Sequence, residues 1–174
     1  VIVATNSVVR EKIIRHVIKK HSVKNLILEK VLFQRKIEYI EIDTFLKESS
    51  IPTWVNCWMR TTDLFKQIKS ALNPNDLIQM KVAGPRWGMG TNSVHFIDLL
   101  SFFVECVDFK FTDARLDNKI LDAKREGFKE FTGRLEGKVS RGDSLDLICK
   151  DEEDGPVTIE IQNGPEIFTL VTNF

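Results

Sequence analysis

Two short stretches of this 174-residue chain hold side chains suited to chemistry. Glu29 and Lys30 follow the apolar run Leu26, Ile27, Leu28, so a carboxylate and an ammonium stand at the end of a segment with the unbroken hydrophobicity of a buried parallel strand. Much later, Gly88, Gly90, Thr91 and Asn92 lead to His95, which is flanked by Val94, Phe96, Ile97, Leu99, Leu100, Phe102 and Phe103. A lysine can steady a developing negative charge, and a histidine can take a proton near neutral pH. Ala4, Thr5 and Asn6 follow the apolar Val1, Ile2 and Val3 and add small polar groups at a second strand end. A solvated lysine and a core histidine with one hydrogen bond explain the same residues without chemistry.

The elements that must position these groups are read from period. Val1 to Ala4 is a short buried strand; Ser7 then caps a helix whose stripe is Val9, Ile13, Ile14, Val17 and Ile18, ending near Lys19, Lys20 and His21. Leu26 to Leu28 is the next strand, and Ile37, Ile40, Phe45 and Leu46 predict a second helix that Pro52 stops. Such a strand, helix, strand, helix order is the last portion of a doubly wound sheet, which binds ligands beyond the carboxyl ends of its strands. Thr5, Asn6, Glu29 and Lys30 fall at those ends.

After Pro52 the pattern changes. Trp54, Asn56, Trp58 and Arg60 alternate with Val55, Cys57 and Met59, which predicts a strand with one polar face. A helix over Leu64, Phe65, Ile68 and Leu72, a strand through Ile78, Met80 and Val82, and the apolar helix bearing His95 follow, with Asn92 as its cap and His95 in its first turn. Asp98 either packs on that helix or orients His95 from three residues away. Strands are then expected at 107–111, 129–140, 144–149, 157–161 and 167–171, with turns at Asp154-Gly155-Pro156 and Asn163-Gly164-Pro165. The expected fold class is α/β plus α+β: the C-terminal part of a Rossmann-like doubly wound sheet over 1–52, then an α+β domain with a largely antiparallel open sheet over 53–174.

Composition narrows the function classes. Lys plus Arg and Asp plus Glu both number 25, and no long basic run exists to neutralise a phosphate backbone, so nucleic acid is not an expected partner. No apolar run approaches the ~20 residues of a membrane span, and no signal-peptide layout opens the chain, so a soluble, cytoplasmic protein is expected. Cys57, Cys106 and Cys149 form no Cys-x-x-Cys pair, and His16 and His21 lie on different faces of a helix, so no metal site is expected. The acidic residues from Asp151 to Asp154 read as an exposed loop. Gly88-x-Gly90 with Asp113 after Val107, Phe109 and Phe111 has the outline of a dinucleotide fingerprint, but Ser93 stands where the third glycine belongs.

Glu29-Lys30 and the segment from Gly88 to Asp98 together resemble the Gfo/Idh/MocA family of NAD(P)-dependent sugar and polyol oxidoreductases. Val1 to Asn6 resembles that family's strand and loop beside the nicotinamide. The resemblance implies that Lys30 and His95 are catalytic, that Ala4, Thr5, Asn6, Glu29 and Lys30 contact NAD or NADP, and that Trp58, Arg60, Trp87 and Asn92 contact a carbohydrate. It further implies that one face of the C-terminal sheet meets a second subunit in a homodimer. The Trp-Gly segment and the Asn-Ser-x-His-Phe-x-Asp run resemble members acting in bacterial surface-polysaccharide synthesis, which implies a nucleotide-sugar substrate. Two departures stand out: Thr91 occupies a position where the family often has Asp, and no glycine-rich loop precedes Val1, so a piece without its dinucleotide anchor is expected. The other readings are a non-catalytic sugar-binding or dimerising module derived from the same fold, and an unrelated α+β binding domain.

Overall fold

The computed structural model describes residues 1–172. The chain divides into two compact units, Val1–Cys57 and Trp58–Phe174.

In the first unit, β1 (Ile2–Val3), α1 (Arg10–Lys20), β2 (Leu26–Leu28), α2 (Lys36–Glu48) and β3 (Thr53–Val55) follow one another. The three strands pair in parallel in the order β1-β2-β3, with Ile2 beside Ile27 and Leu26 beside Thr53. Val3, Ile14, Leu26, Leu28, Phe33 and Ile42 form the core. α1 starts later than a Ser7 cap predicts, because Asn6 takes the turn instead: its Oδ1 accepts the N–H groups of Val8 and Val9 at 3.1 and 3.3 Å. α2 is opened by Glu38, whose carboxylate accepts the Arg35 N–H at 3.0 Å as its third helical residue.

The second unit begins with a short 3-10 turn at Trp58–Thr61, followed by α3 (Asp63–Ala71), β4 (Ile78–Pro85), α4 (Met89–Val104) and β5 (Lys110–Asp122). β6 (Lys129–Lys138), β7 (Ser144–Lys150), β8 (Val157–Asn163) and β9 (Glu166–Thr172) complete it. The six-stranded sheet has the order β5-β6-β7-β4-β8-β9 and is antiparallel except where β4 meets β7. Along β4 the side chains alternate as a half-buried strand requires: Ile78, Met80 and Val82 are buried while Gln79 and Lys81 are exposed. α4 lies on the buried face, with Phe96, Leu99 and Leu100 fully enclosed. The fold class is the expected one, an α/β unit with a parallel sheet and an α+β unit with a largely antiparallel sheet.

Two further elements differ from expectation. The strand expected from Trp54 to Arg60 stops at Val55, and the chain coils into the 3-10 turn. There the hydroxyls of Thr61 and Thr62 donate back to the carbonyls of Trp58 and Met59 at 2.6 and 2.9 Å, a local alternative to ladder bonding. β5 is also longer than the strand expected at 107–111, so Asp113 pairs with Glu136 in mid-strand and does not end it. The hairpin at Gly164 holds as expected, with φ at 57° in the left-handed region that glycine tolerates. Among the described residues, no helix is long and apolar enough to cross a membrane.

Candidate functional site

In the first unit the polar candidates gather at the carboxyl ends of β1 and β2. Glu29 turns back on its own loop: one carboxylate oxygen accepts the Lys30 N–H at 3.0 Å and the other accepts the Asn56 side-chain amide at 3.0 Å. The peptide between Lys30 and Val31 is cis. Asn6 spends its oxygen on the turn into α1, and Ala4 is exposed. The Thr5 hydroxyl oxygen is buried and has no hydrogen-bond partner among the described residues.

Sequence reasoning missed the residue that organises both loops. Arg10 is 1% exposed, and its guanidinium donates to the carbonyls of Thr5, Val31 and Leu32, the last at 2.9 Å. One buried cation thereby ties the loop after β1 to the loop after β2. A buried charge must be compensated, and three carbonyl dipoles converge on this one. The available signal was its spacing, since Arg10 precedes the core residue Ile14 by four positions and so falls on the buried face of α1.

In the second unit, His95 is 3% exposed and lies in the second turn of α4, one turn later than expected. The indole of Trp58, 45% exposed, meets it edge-on with ring centroids 6.2 Å apart. Asp98 does not orient His95. It takes the Arg60 guanidinium in a fork, at 2.7 Å from Nε and 2.5 Å from Nη2, and its carbonyl accepts a third hydrogen bond at 3.1 Å. The same guanidinium lies over the Phe102 ring at 5.6 Å, so Arg60 pins the 3-10 turn carrying Trp58 to α4.

Trp87 is placed as a core anchor: it is 2% exposed, its Nε1 donates to the Ile148 carbonyl at 2.9 Å, and its ring meets Phe96 edge-on at 5.4 Å. Asn92 does not cap α4; its amide donates to the Trp87 carbonyl at 2.7 Å, and Gly88 occupies the cap position with φ at 76°. The first turn of α4 is met instead by Glu130 from β6, whose carboxylate accepts the Gly90 N–H at 2.6 Å and the Thr91 hydroxyl. Among the described residues, no group of three His, Cys, Asp or Glu side chains is placed to hold a metal ion. Among the described residues no disulfide joins the cysteines, and Cys57 and Cys149 are buried.

No protein-family model and no curated protein matches the sequence. Solved structures do match the fold. The WlbA dehydrogenase from Bordetella pertussis, solved with NADH and UDP-GlcNAcA, is 15% identical with a TM-score of 0.72 over 98% of this chain and 58% of its own. The super-repressor mutant of Gal80p from Saccharomyces cerevisiae is 14% identical with a TM-score of 0.69, over 98% and 55% respectively. The MviM dehydrogenase from Clostridium difficile is 12% identical with a TM-score of 0.65, over 97% and 61%. At these identities the likeness is one of fold, and this chain spans less than two thirds of the length of each of these three structures.

Proposed function

We propose that this chain is part of an NAD(P)-dependent oxidoreductase of the Gfo/Idh/MocA type, moving a hydride between a nicotinamide and a hydroxyl-bearing carbon of a sugar or nucleotide sugar. The observation that carries this reading is the Glu29-Lys30 turn, held by buried Arg10 at the carboxyl ends of a parallel sheet. The fold is shared with a dehydrogenase solved with NADH and a nucleotide sugar, which supports the choice of substrate class.

The residues present fit one end of the cofactor. The buried Thr5 hydroxyl, without a hydrogen-bond partner among the described residues and beside Asn6 and the Lys30 turn, suits the polar edge of a nicotinamide. The pyrophosphate end finds no such fit, because Gly84 is the first glycine of the sequence and a close backbone cradle for phosphates depends on glycine. A bound nicotinamide would supply the hydride acceptor. In this reading His95 and Lys30 are the catalytic residues, the imidazole as the acceptor of the hydroxyl proton and the ammonium as a group that steadies negative charge. Trp58 offers an indole to a sugar ring, and Arg60, with its side chain 41% exposed beside Asp98, keeps donors for a substrate oxygen. Trp87 and Asn92 support the turn into α4.

A second copy of the chain belongs to the same proposal. On the outward face of the sheet Asp113, Glu136 and Asp146 form one cross-strand row, and Arg115 and Arg134 stand in the next. Arg115 pairs with Asp113 and Glu136, and Arg134 with Glu136 and Asp146, so this face presents a charge-balanced surface that a two-fold axis would set against its own copy in an isologous contact.

The non-catalytic reading is favoured by one observation, that a repressor mutant shares the fold. Substitution in the polypeptide as the cell makes it separates the two. Lys30→Met and His95→Ala should each lower kcat by roughly two to four orders of magnitude. Turnover that survives both changes would favour a binding module.

A further inference from the structure

At 13 residues β5 is almost twice as long as β9, the seven-residue strand at the opposite edge of the sheet. It is exposed along nearly its whole length, with Phe111 at 53%, Leu116 at 46% and Ile120 at 74%. An edge of this kind offers a row of backbone N–H and C=O groups to other strands, and charged side chains or bulges commonly blunt it. β5 has both, but the order of its charges does more than repel.

Laid antiparallel to itself across a two-fold axis at Leu116, β5 sets Arg115 opposite Asp117, Asp113 opposite Lys119 and Lys110 opposite Asp122. Every charge on the strand then meets its opposite. Leu116 meets Leu116, and Phe111 meets Leu121. Two matched edges can pair only in registers that keep their outward backbone groups opposed, so the neighbouring alternatives move the axis by one residue. An axis at Arg115 sets Arg115 on itself and Asp113 on Asp117, and an axis at Asp117 sets Asp117 on itself and Arg115 on Lys119. Like charges directly opposite are destabilising, so one register is singled out.

The side chains are placed to serve it. Arg115 pairs with Glu136 of β6 at 2.6 Å, and Asp117 accepts the Thr132 hydroxyl at 2.6 Å, so both lie on the side of the sheet to which Thr132 and Glu136 point. The pairs that Arg115 makes within the chain are exposed and so weakly held, and a guanidinium has five N–H donors to share. β5 leaves its register with β6 on each side of Leu116, between Phe111 and Asp113 and between Leu116 and Ile120. Such bulges interrupt a continuous backbone ladder, which leaves the opposing side chains to set the register.

We propose that β5 is a self-complementary docking edge, which pairs antiparallel with β5 of a second copy of this chain across a two-fold axis at Leu116. This contact is separate from the one on the outward face of the sheet, and it stands whether or not the chain is an oxidoreductase.

Sedimentation of two variants, alone and mixed, tests this in the polypeptide as the cell makes it. Asp117→Arg sets arginine against Arg115, and Arg115→Asp sets aspartate against Asp117, so each alone should raise the Kd of self-association at least about tenfold. An equal mixture restores opposite charges at both positions and should return the Kd to within about threefold of the unsubstituted value. Variants that had merely lost their fold would not rescue one another. Leu116→Cys, in a chain that also carries Cys106→Ser, should form an oxidised dimer about tenfold faster than Val171→Cys on the β9 edge, because residues opposite each other on the axis lie within disulfide reach. A polypeptide that stays monomeric throughout the micromolar range overturns the proposal. A dimer whose Kd ignores both charge changes, or that crosslinks equally from the two edges, overturns it too and leaves the face contact standing.

Discussion

The two units solve the problem of holding polar groups in place by different means. In the second, eighteen buried residues form one cluster between α4 and a six-stranded sheet, and His95 is carried on the helix at its centre. In the first, a three-stranded sheet has six, and β1 at its edge leaves Ile2 71% exposed. There the loops are tied by hydrogen bonds to Arg10 and Glu38 more than by packing. A small apolar core can therefore still fix a polar turn if a buried charge organises the backbone around it, at the risk that one substitution undoes it.

The sharpest way to break that contrast is to remove one large side chain from the second unit. Phe96→Ala should cost about 4 kcal/mol, read by urea unfolding, because it opens a cavity where α4 meets the sheet. Arg10→Met should cost about 3 kcal/mol by leaving buried carbonyls of Thr5, Val31 and Leu32 without their donor. Amide exchange should rise in residues 4–35 and stay unchanged along β4 and β7; a uniform rise would mean that Arg10 supports more than its own loops.

Acid titration sharpens the comparison further. Burial pushes the Asp143 carboxyl up, but the Arg141 fork and the Ile78 N–H pull it down further, so its pKa lies below the usual value. Asp108, held by the Cys106 thiol and by Ser140, is lowered to about 2. A depressed carboxyl stabilises the fold above its unfolded pKa of about 4, and that stability is lost as pH falls toward the folded value. The second unit should lose stability below about pH 4, and Asp143→Asn, which sacrifices about 2 kcal/mol at neutral pH, should flatten part of that loss in melts from pH 2 to 7. The smallest effect belongs to the exposed pair of Lys47 and Asp43 on α2, 2.6 Å apart with side chains 74% and 61% exposed. Lys47→Ala should change stability by less than about 0.5 kcal/mol by the same urea measurement.

Much of the architecture is legible because burial imposes period. Ile78, Met80 and Val82, or Val157, Ile159 and Ile161, can alternate only as strands with one covered face. The unbroken apolar runs of β1 and β2 mark a parallel sheet for the same reason. What escaped reading depends on partners distant in sequence or on local competition. The parallel pairing of β4 with β7 follows from which strands meet, and nothing within either strand records it. Trp58 to Arg60 alternates like a strand, yet the two threonines that follow turn the chain inward. Among the candidate residues, Lys30, Thr5 and His95 stood out by residue type. Arg10 and Glu130 did not, since a lone arginine on an amphipathic helix and a lone glutamate on a strand are ordinary until their partners are seen.

The most direct measurement is nicotinamide reduction by the polypeptide as the cell makes it, with UDP-GlcNAcA and NAD+ or NADP+ supplied together. An oxidoreductase with the roles proposed here should show sugar-dependent formation of reduced nicotinamide that falls by roughly two to four orders of magnitude in the His95→Ala chain. Binding of the sugar with no reduction of either cofactor, and no difference between the His95→Ala chain and the unsubstituted one, would contradict it.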